Sequence, residues 1–227
     1  MGDTVNFTAF LASMAHDIKN SLSMMLNSLD EVSSRCTPET CPSHKHLAQM
    51  QYEASRVNNN LIQLLTLYKM DTAQFGSNIS QYSVSDVLEE TILLNKPLLD
   101  FKGFQIAIDC PEDLYWFFDR DLFMGVINNI LSNAFRHAEG KIKMRAAEKD
   151  GQFVLSVEDD GKGYPEELLE SEDKTSKVVS FKTGSTGLGL YFASMVAKIH
   201  KNKGKEGFIT ISNGGEYGGS CFTITLP

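Results

Sequence analysis

The sequence predicts an α+β chain of two domains: an N-terminal helical hairpin that pairs with a second copy into a four-helix bundle, and a C-terminal α/β sandwich. Three observations predict this. Apolar residues recur at steps of three and four from Val5 to Tyr68, the period of helices buried along one stripe. Beyond them, short β-type runs mix with helical ones. Two glycine-rich loops punctuate that second half.

Composition bounds the function classes. The chain has 227 residues, 42% hydrophobic and 22% charged, ordinary values for a globular protein with a real core. A net charge of −8 argues against a nucleic-acid partner, because no excess of Lys and Arg exists to neutralise a phosphate backbone. A nucleotide needs only a few cations and amide donors and stays open. No apolar run reaches the roughly 18 residues of a membrane span, and no signal peptide opens the chain. No membrane contact and a cytoplasmic location are therefore expected. The four cysteines, Cys36, Cys41, Cys110 and Cys221, are too sparse for a disulfide scaffold and fit a reducing compartment.

The first helix carries Phe7, Phe10, Met14, Ile18, Leu22, Met25, Leu29 and Val32 on one stripe. CTPETCPS, Cys36 to Ser43, has two prolines and small polar residues and reads as a turn. The second helix places Leu47, Met50, Ala54, Val57, Leu61, Leu64 and Tyr68 in three-four alternation, a coiled-coil seam. A hairpin alone leaves much of such a stripe in water, and a second copy covers it, so a homodimer is expected. TAQFGSNIS breaks the period as a linker. The resulting boundaries are residues 1–72 for the hairpin, 73–80 for the linker and 81–227 for the sandwich. Within the last, a helix runs from about Ser85, its expected N-cap, to about Asp100, bent near Pro97. A short strand at Gln105 to Ile108 precedes an apolar helix from Arg120 to His137. KIKMRAAEK and QFVLSVED flank Asp150-Gly151, a hairpin signal. A helix from Leu188 to His200 and a closing hairpin complete the chain.

Three elements carry chemistry. VEDDGKGYP ends an apolar strand in carboxylates and two glycines. Gly161 and Gly163 permit close backbone approach, and Asp159 suits an exocyclic amine such as that of adenine. A surface turn uses the same residues, so this loop alone says little. GSTGLGL, Gly184 to Leu190, stands directly before a helix, where free amides and the helix dipole favour phosphate. The polar segment between the loops has almost no core pattern and reads as a lid. Finally, GVINNILSNAFRHA places Asn129 and Asn133 at i and i+4 on one face of an apolar helix. Buried amides need partners, and their carbonyl oxygens suit Mg²⁺. Arg136 and His137 follow one turn on, within reach of phosphates or base.

In this order the helix Asn residues, DxGxG and GxGLGL resemble the ATP-binding domain of sensor histidine kinases, the GHKL (Bergerat) fold shared with gyrase, Hsp90 and MutL. AHDIKNSL, Ala15 to Leu22, resembles their dimerisation and phosphoacceptor motif. The likeness runs from Phe7 to Pro227. It implies that His16 is the phosphorylated histidine, Asp17 the acid assisting it, and Asn20 the holder of water for a reverse, phosphatase reaction. It assigns Asn129 and Asn133 to Mg²⁺, Asp159, Gly161 and Gly163 to the adenine side, and Thr186, Gly187, Leu188 and Gly189 to the loop over the phosphates. ATP and Mg²⁺ are the implied cofactors, and a response-regulator receiver domain the implied partner. Arg56 resembles a basic residue common on the second helix. Two departures stand out. Ser21 occupies the place of the usual helix-bending Pro, and Phe181 is the only candidate for the Phe of the lid motif.

The residue types favour transfer over hydrolysis. Hydrolytic members of the fold carry a water-activating Glu four residues before the Mg²⁺ Asn, where this chain has Asn129, which is no general base. The γ-phosphate then awaits another nucleophile. His16 lies about 200° round the helix from Met14 and Ile18, so it faces solvent, and Asp17 beside it orients the ring or takes its proton. A lone exposed histidine is ordinarily incidental; a nucleotide domain in the same chain changes that. The runner-up is a histidine phosphotransferase relay whose ATP-like domain is inactive, and a third reading is a non-catalytic dimeric scaffold. Cys36, Cys41, His44 and His46 match no standard metal spacing. The chain is read as a soluble kinase or as the cytoplasmic portion of a larger sensor.

Overall fold

A computed structural model describes residues 7–35, 41–71, 76–169 and 187–227. The chain divides into two compact units, Met1–Phe75 and Gly76–Pro227. Unit one is a helical hairpin, α1 (Phe7–Ser34) packed on α2 (His44–Asp71), with the Gln51 and Asp30 side chains hydrogen-bonded across it. Its stripe is only half used. Among the described seam residues of α2, Ala54 is buried, Leu47, Leu61 and Tyr68 are half-buried, and Met50, Val57 and Leu64 are exposed. On α1, Leu22 and Leu29 are half-buried while Met14, Ile18, Met25 and Val32 stand in solvent. One helix covers one side of its neighbour, and the remainder of a bundle stripe needs further helices. Of the turn, residues 36–40 lie outside the described residues. Cys41 is disulfide-bonded, which departs from the expectation of fully reduced cysteines. Cys110 and Cys221 are free thiols.

Unit two holds β1 (Ile79–Ser83), α3 (Val84–Lys102), β2 (Gln105–Asp109), β3 (Tyr115–Asp119), α4 (Arg120–His137), β4 (Lys141–Lys149), β5 (Gln152–Asp159), the short α5 (Glu166–Leu169), α6 (Leu188–Ile199), β6 (Lys201–Asn202), β7 (Lys205–Glu206), β8 (Phe208–Asn213) and β9 (Ser220–Leu226). Five strands form a mixed sheet in the order β2-β4-β5-β9-β8, with β2 parallel to β4 and the other pairs antiparallel. Helices α4 and α6 pack together, α3 packs on α4, and α6 also contacts β8 and β9. The core lies between the helices and this sheet. Phe118, Phe123 and Phe153 are fully buried, with ring centroids 4.5 Å apart for Phe118–Phe123 and 5.6 Å for Phe123–Phe153. Ile142, Met144 and Leu155 from alternate strand positions and Ile127 and Leu131 from α4 complete it. Each such side chain contributes about 1.5–3 kcal/mol on leaving water.

Several boundaries differ from expectation. The N-cap of α3 is Ser83, which accepts from the Asp86 amide, and Ser85 lies one residue inside the helix, its hydroxyl 3.1 Å from that of Ser83. Pro97 sits inside α3, which continues to Lys102 and ends on Gly103 in the left-handed region. Strands β1 and β3 pair antiparallel as a separate two-stranded sheet, and β1 takes Ile79 and Ser80 from the expected linker. The Asp150-Gly151 turn has positive φ at both residues, as its hairpin requires.

Candidate functional site

The site is assembled from the C-terminal half of α4, the loop after β5 and the start of α6. Asn129 and Asn133 share one face of α4, one buried at 9% exposure and the other half-buried. The Asn129 side chain meets the first turn of α6, since a Cβ on Gly189 would collide with its amide. Only glycine lets these helices approach so closely. Asn129 Nδ2 is then a buried donor with no partner among the described residues, which is costly unless a ligand supplies an acceptor. Gly187 starts α6 in the left-handed conformation, φ 60°, with no side chain capping the first turn. Open amides at a helix N-terminus are donors for phosphate oxygens. Leu188 is half-buried beside them. Residues 170–186, including Thr186, Phe181 and the expected lid, lie outside the described residues.

The DxGxG loop closes against the other end of α4. Gly161 abuts the His137 carbonyl and Ala138, where a Cβ would clash with backbone. Asp159 is buried, and its Oδ1 accepts from the Gly161 amide (2.8 Å) and the Ser220 amide (3.1 Å), while Oδ2 accepts from the Ser220 hydroxyl. Two oxygens with three protein donors leave a lone pair of Oδ2 for an amine. Gly163 has φ 78°, and the space a Cβ would take is filled by Asn213. Asn213 brackets Tyr164, accepting from its amide (2.6 Å) and donating to its carbonyl (2.8 Å). Asp160 accepts from the amides of Glu139 (2.9 Å) and Gly140 (3.0 Å). Burial opposes its charge, yet backbone donors from Lys141, Gly140 and Glu139 outweigh that and hold its carboxyl below the usual range. Arg136 and His137 are exposed at the end of α4. Loss of water around the ring, followed by the Arg136 charge, pushes the His137 imidazole down against the opposing pull of Asp159.

Ser220, Asn213 and Asn95 escaped the sequence reading. Ser220 and Asn213 fasten a loop 61 and 49 residues earlier, and Asn95 donates from α3 to Asn128 Oδ1 of α4 at 2.7 Å. Only Ser220 left a signal, standing after Gly218-Gly219 at the start of the last strand, where Gly219 packs on Asp159 and Gly161.

The residue set fits Mg-ATP: an orphaned buried amide, two glycine cradles, an open helix start and amide carbonyls for a hard cation. Asn133 and Asn129 are the residues that would hold the metal. Among the described residues, no group of three or more His, Cys, Asp or Glu offers another metal centre; Cys36 lies outside them.

In the hairpin, His16 and Asp17 are exposed, at 66% and 79% of their side chains. His16 Nδ1 lies 3.3 Å from Asn20 Nδ2 and 3.8 Å from Asp17 Oδ1. Ser21 Oγ donates to the Asp17 carbonyl at 3.0 Å, a back-bond that bends helices slightly, so the place expected for Pro is not mechanically neutral. Arg56 pairs with Glu53 at 2.5 Å on α2.

Residues 118–227 match the family of histidine kinase-, DNA gyrase B- and HSP90-like ATPases. The chain is 24% identical over 225 residues to the sensor protein SrrB of Staphylococcus aureus, covering 96% of this chain and 37% of that protein. It thus spans well under half the length of this curated relative. Among solved structures, the catalytic domain of histidine kinase ThkA superposes with a TM-score of 0.56 at 25% identity, over 66% of this chain and 97% of that one. Histidine kinase AdeS of Acinetobacter baumannii shares the fold with a TM-score of 0.58 at 21% identity, over 93% and 96%. No helix among the described residues is long and apolar enough to cross a membrane. The DxGxG loop, Gly187, Gly189 and the α4 asparagines all fall within residues 118–227, the part that matches the histidine kinase-, DNA gyrase B- and HSP90-like ATPases, and along most of its length the chain is similar to a sensor histidine kinase.

Proposed function

We propose that the chain autophosphorylates on His16 from Mg-ATP and passes the phosphoryl group to an aspartate of a response-regulator receiver domain. The observation that carries this is Asn129: a buried amide, unpartnered, beside the open start of α6 and unable to activate water. A site of this kind binds the nucleotide and keeps its γ-phosphate for another acceptor.

Asn133 and Asn129 would hold Mg²⁺, which would neutralise charge on the phosphates. Asp159 takes the adenine amine through Oδ2, and the α6 amides and Arg136 hold phosphate oxygens. In the His16 tautomer with its proton on Nδ1, 3.8 Å from Asp17 Oδ1, the lone pair lies on Nε2, which is the attacking nitrogen. It forms a nitrogen–phosphorus bond as the bond to the ADP oxygen breaks, and the ring proton passes to Asp17 or water. Asn20 then holds a water against the phosphoryl group in the reverse, phosphatase direction. The exposed stripe of the hairpin supports a homodimeric four-helix bundle.

The test is radiolabelled ATP with the purified chain and His16→Gln. Acid-labile label on the wild type and none on the variant, with equal nucleotide affinity, is expected. No ATP binding, with His16 charged only by a phosphorylated receiver domain, replaces this reading with the phosphotransferase relay. Unchanged phosphotransfer in the variant leaves only a scaffold.

A further inference from the structure

His200 is buried at 2% exposure at the C-cap of α6, and nothing in the functional reading uses it. Its bonding fixes its chemistry. Nε2 accepts from the Asp119 backbone amide at 2.9 Å, so that nitrogen carries a lone pair. Nδ1 therefore bears the proton and donates to the Val196 carbonyl at 2.6 Å. Both nitrogens are spent, and only the neutral ring fits. An imidazolium would turn Nε2 into a donor facing a donor.

The partner matters as much as the ring. Asp119 is the N-cap of α4, its carboxylate accepting from Leu122 N at 3.2 Å and Asn78 N at 2.8 Å. Helices α4 and α6 thus run antiparallel with three contact points in order: Asp119 with His200, Gly125 with Phe192, and Asn129 with Gly189. From the first to the last is about 15 Å along α4 and about 16 Å along α6. The histidine pin lies at one end of that span and the nucleotide-facing contact at the other. Close-packed helices transmit a shift in register rather than absorb it.

We propose that His200 is a positioning residue for nucleotide binding, its uncharged ring fixing the register of α6 against α4 so that Gly189 and the open amides meet Asn129 correctly. This rests on the nucleotide reading above. Burial lowers the ring's affinity for a proton, against the opposing pull of the Val196 carbonyl and the Asp119 carboxylate. The other charged groups around it are committed elsewhere or solvated: Lys201 pairs with Glu206 (2.6 Å), Arg120 with Glu90, and Lys198 is exposed. A histidine held neutral in the folded state adds stability above the ordinary imidazole value, and that contribution falls as pH drops below it.

The experiment titrates the purified chain with a fluorescent ATP analogue and Mg²⁺ from about pH 8 to about pH 5.5, alongside melting curves. His200→Ala is expected to bind about tenfold more weakly at neutral pH, from the stranded Asp119 amide. His200→Gln, whose carbonyl accepts in place of Nε2 without titrating, is expected within about threefold of wild type. Because His137 titrates at the site itself, the acid limb is compared in a His137→Gln background. There the parent loses affinity on acidification and the His200→Gln partner loses less. Equal affinity for His200→Ala and wild type overturns the proposal even if the variant melts lower. Identical acid limbs overturn it where His200→Ala fails to fold. A wild type that binds no nucleotide at any pH overturns the nucleotide reading itself, and this inference with it.

Discussion

The hairpin and the sandwich use apolar residues in opposite ways. In Gly76–Pro227 a large apolar core closes on itself: Phe118, Phe123, Phe153, Ile142 and Leu226 leave water entirely, while Leu93, Leu94 and Phe117 stay exposed. In Met1–Phe75 the described apolar residues that count as buried are Tyr52 and Ala54, at 9% and 6% exposure, while Met24 and Met50 keep 64% and 56% of their surface in solvent. The sandwich has what it needs to fold as one copy. The hairpin has the pattern of a core without the partners for it. The polar chemistry follows the same division. The nucleotide-type site is built from buried polar groups, Asp159 held by several donors and Asn129 with an unpartnered amide, whereas the His16 side chain sits in the open beside Asn20 and Asp17.

Substitutions sharpen this contrast. Phe153→Ala empties the aromatic centre and is expected to cost about 3–5 kcal/mol, lowering the melting transition of the sandwich while the helical signal of the hairpin persists. A single merged transition that shifts as a whole breaks the distinction. Gly189→Val drives a branched side chain into the Asn129 amide, and overpacking of about 1–3 kcal/mol should weaken nucleotide binding roughly tenfold or more, read by titration. Leu64→Lys with Met50→Lys places charge on the exposed stripe. If the proposed dimer forms, it is expected to dissociate by light scattering, at about 1–2 kcal/mol per side chain, with nucleotide affinity unchanged.

Asp160→Asn tests the sandwich through pH. The Asp160 carboxyl is held below its ordinary value, so its contribution is complete above that value and disappears as pH falls through the depressed one. The variant should lose that part of the acid-side dependence in melting curves and stay folded at neutral pH. Ser21→Ala is the smallest change. It removes the back-bond to Asp17 and should stiffen α1 by a few tenths of a kcal/mol, altering the ratio of phosphorylation to dephosphorylation less than about threefold. A larger effect would make Ser21 a working substitute for the helix-bending Pro.

The period of the sequence exposed α1, α2, α4 and α6, because each buries a stripe at helical spacing. It exposed β4 and β5 through alternation and through Asp150-Gly151, whose turn needs the φ values those residues tolerate. β3 was invisible for a physical reason: YWFFD carries aromatics on both faces, Phe118 buried but Tyr115 and Phe117 exposed, so no alternation of polar and apolar residues marks it. β1, ISQYS, is polar and short, and gains its place only by pairing with β3. The α3 cap was misplaced by two residues because serines at 83 and 85 both suit the role, and tertiary context chose the first. The glycines and asparagines of the site were legible as residue types. Their fastenings were not, since Ser220 and Asn213 reach Asp159 and Tyr164 across sequence distances that no local pattern encodes.

The bond from the Asn78 amide to the Asp119 carboxylate, 2.8 Å long, also has a mechanical meaning. Tension or torsion arriving along the backbone at Asn78 is borne by the group that caps α4 before it reaches the five-stranded sheet. Beyond Asn78 the load runs in shear along the β1–β3 ladder, whose register ends with Ile79 opposite that same aspartate. The α/β unit is thus held by its incoming chain at the root of the helix that carries Asn129 and Asn133, so strain arriving at Asn78 meets that helix first.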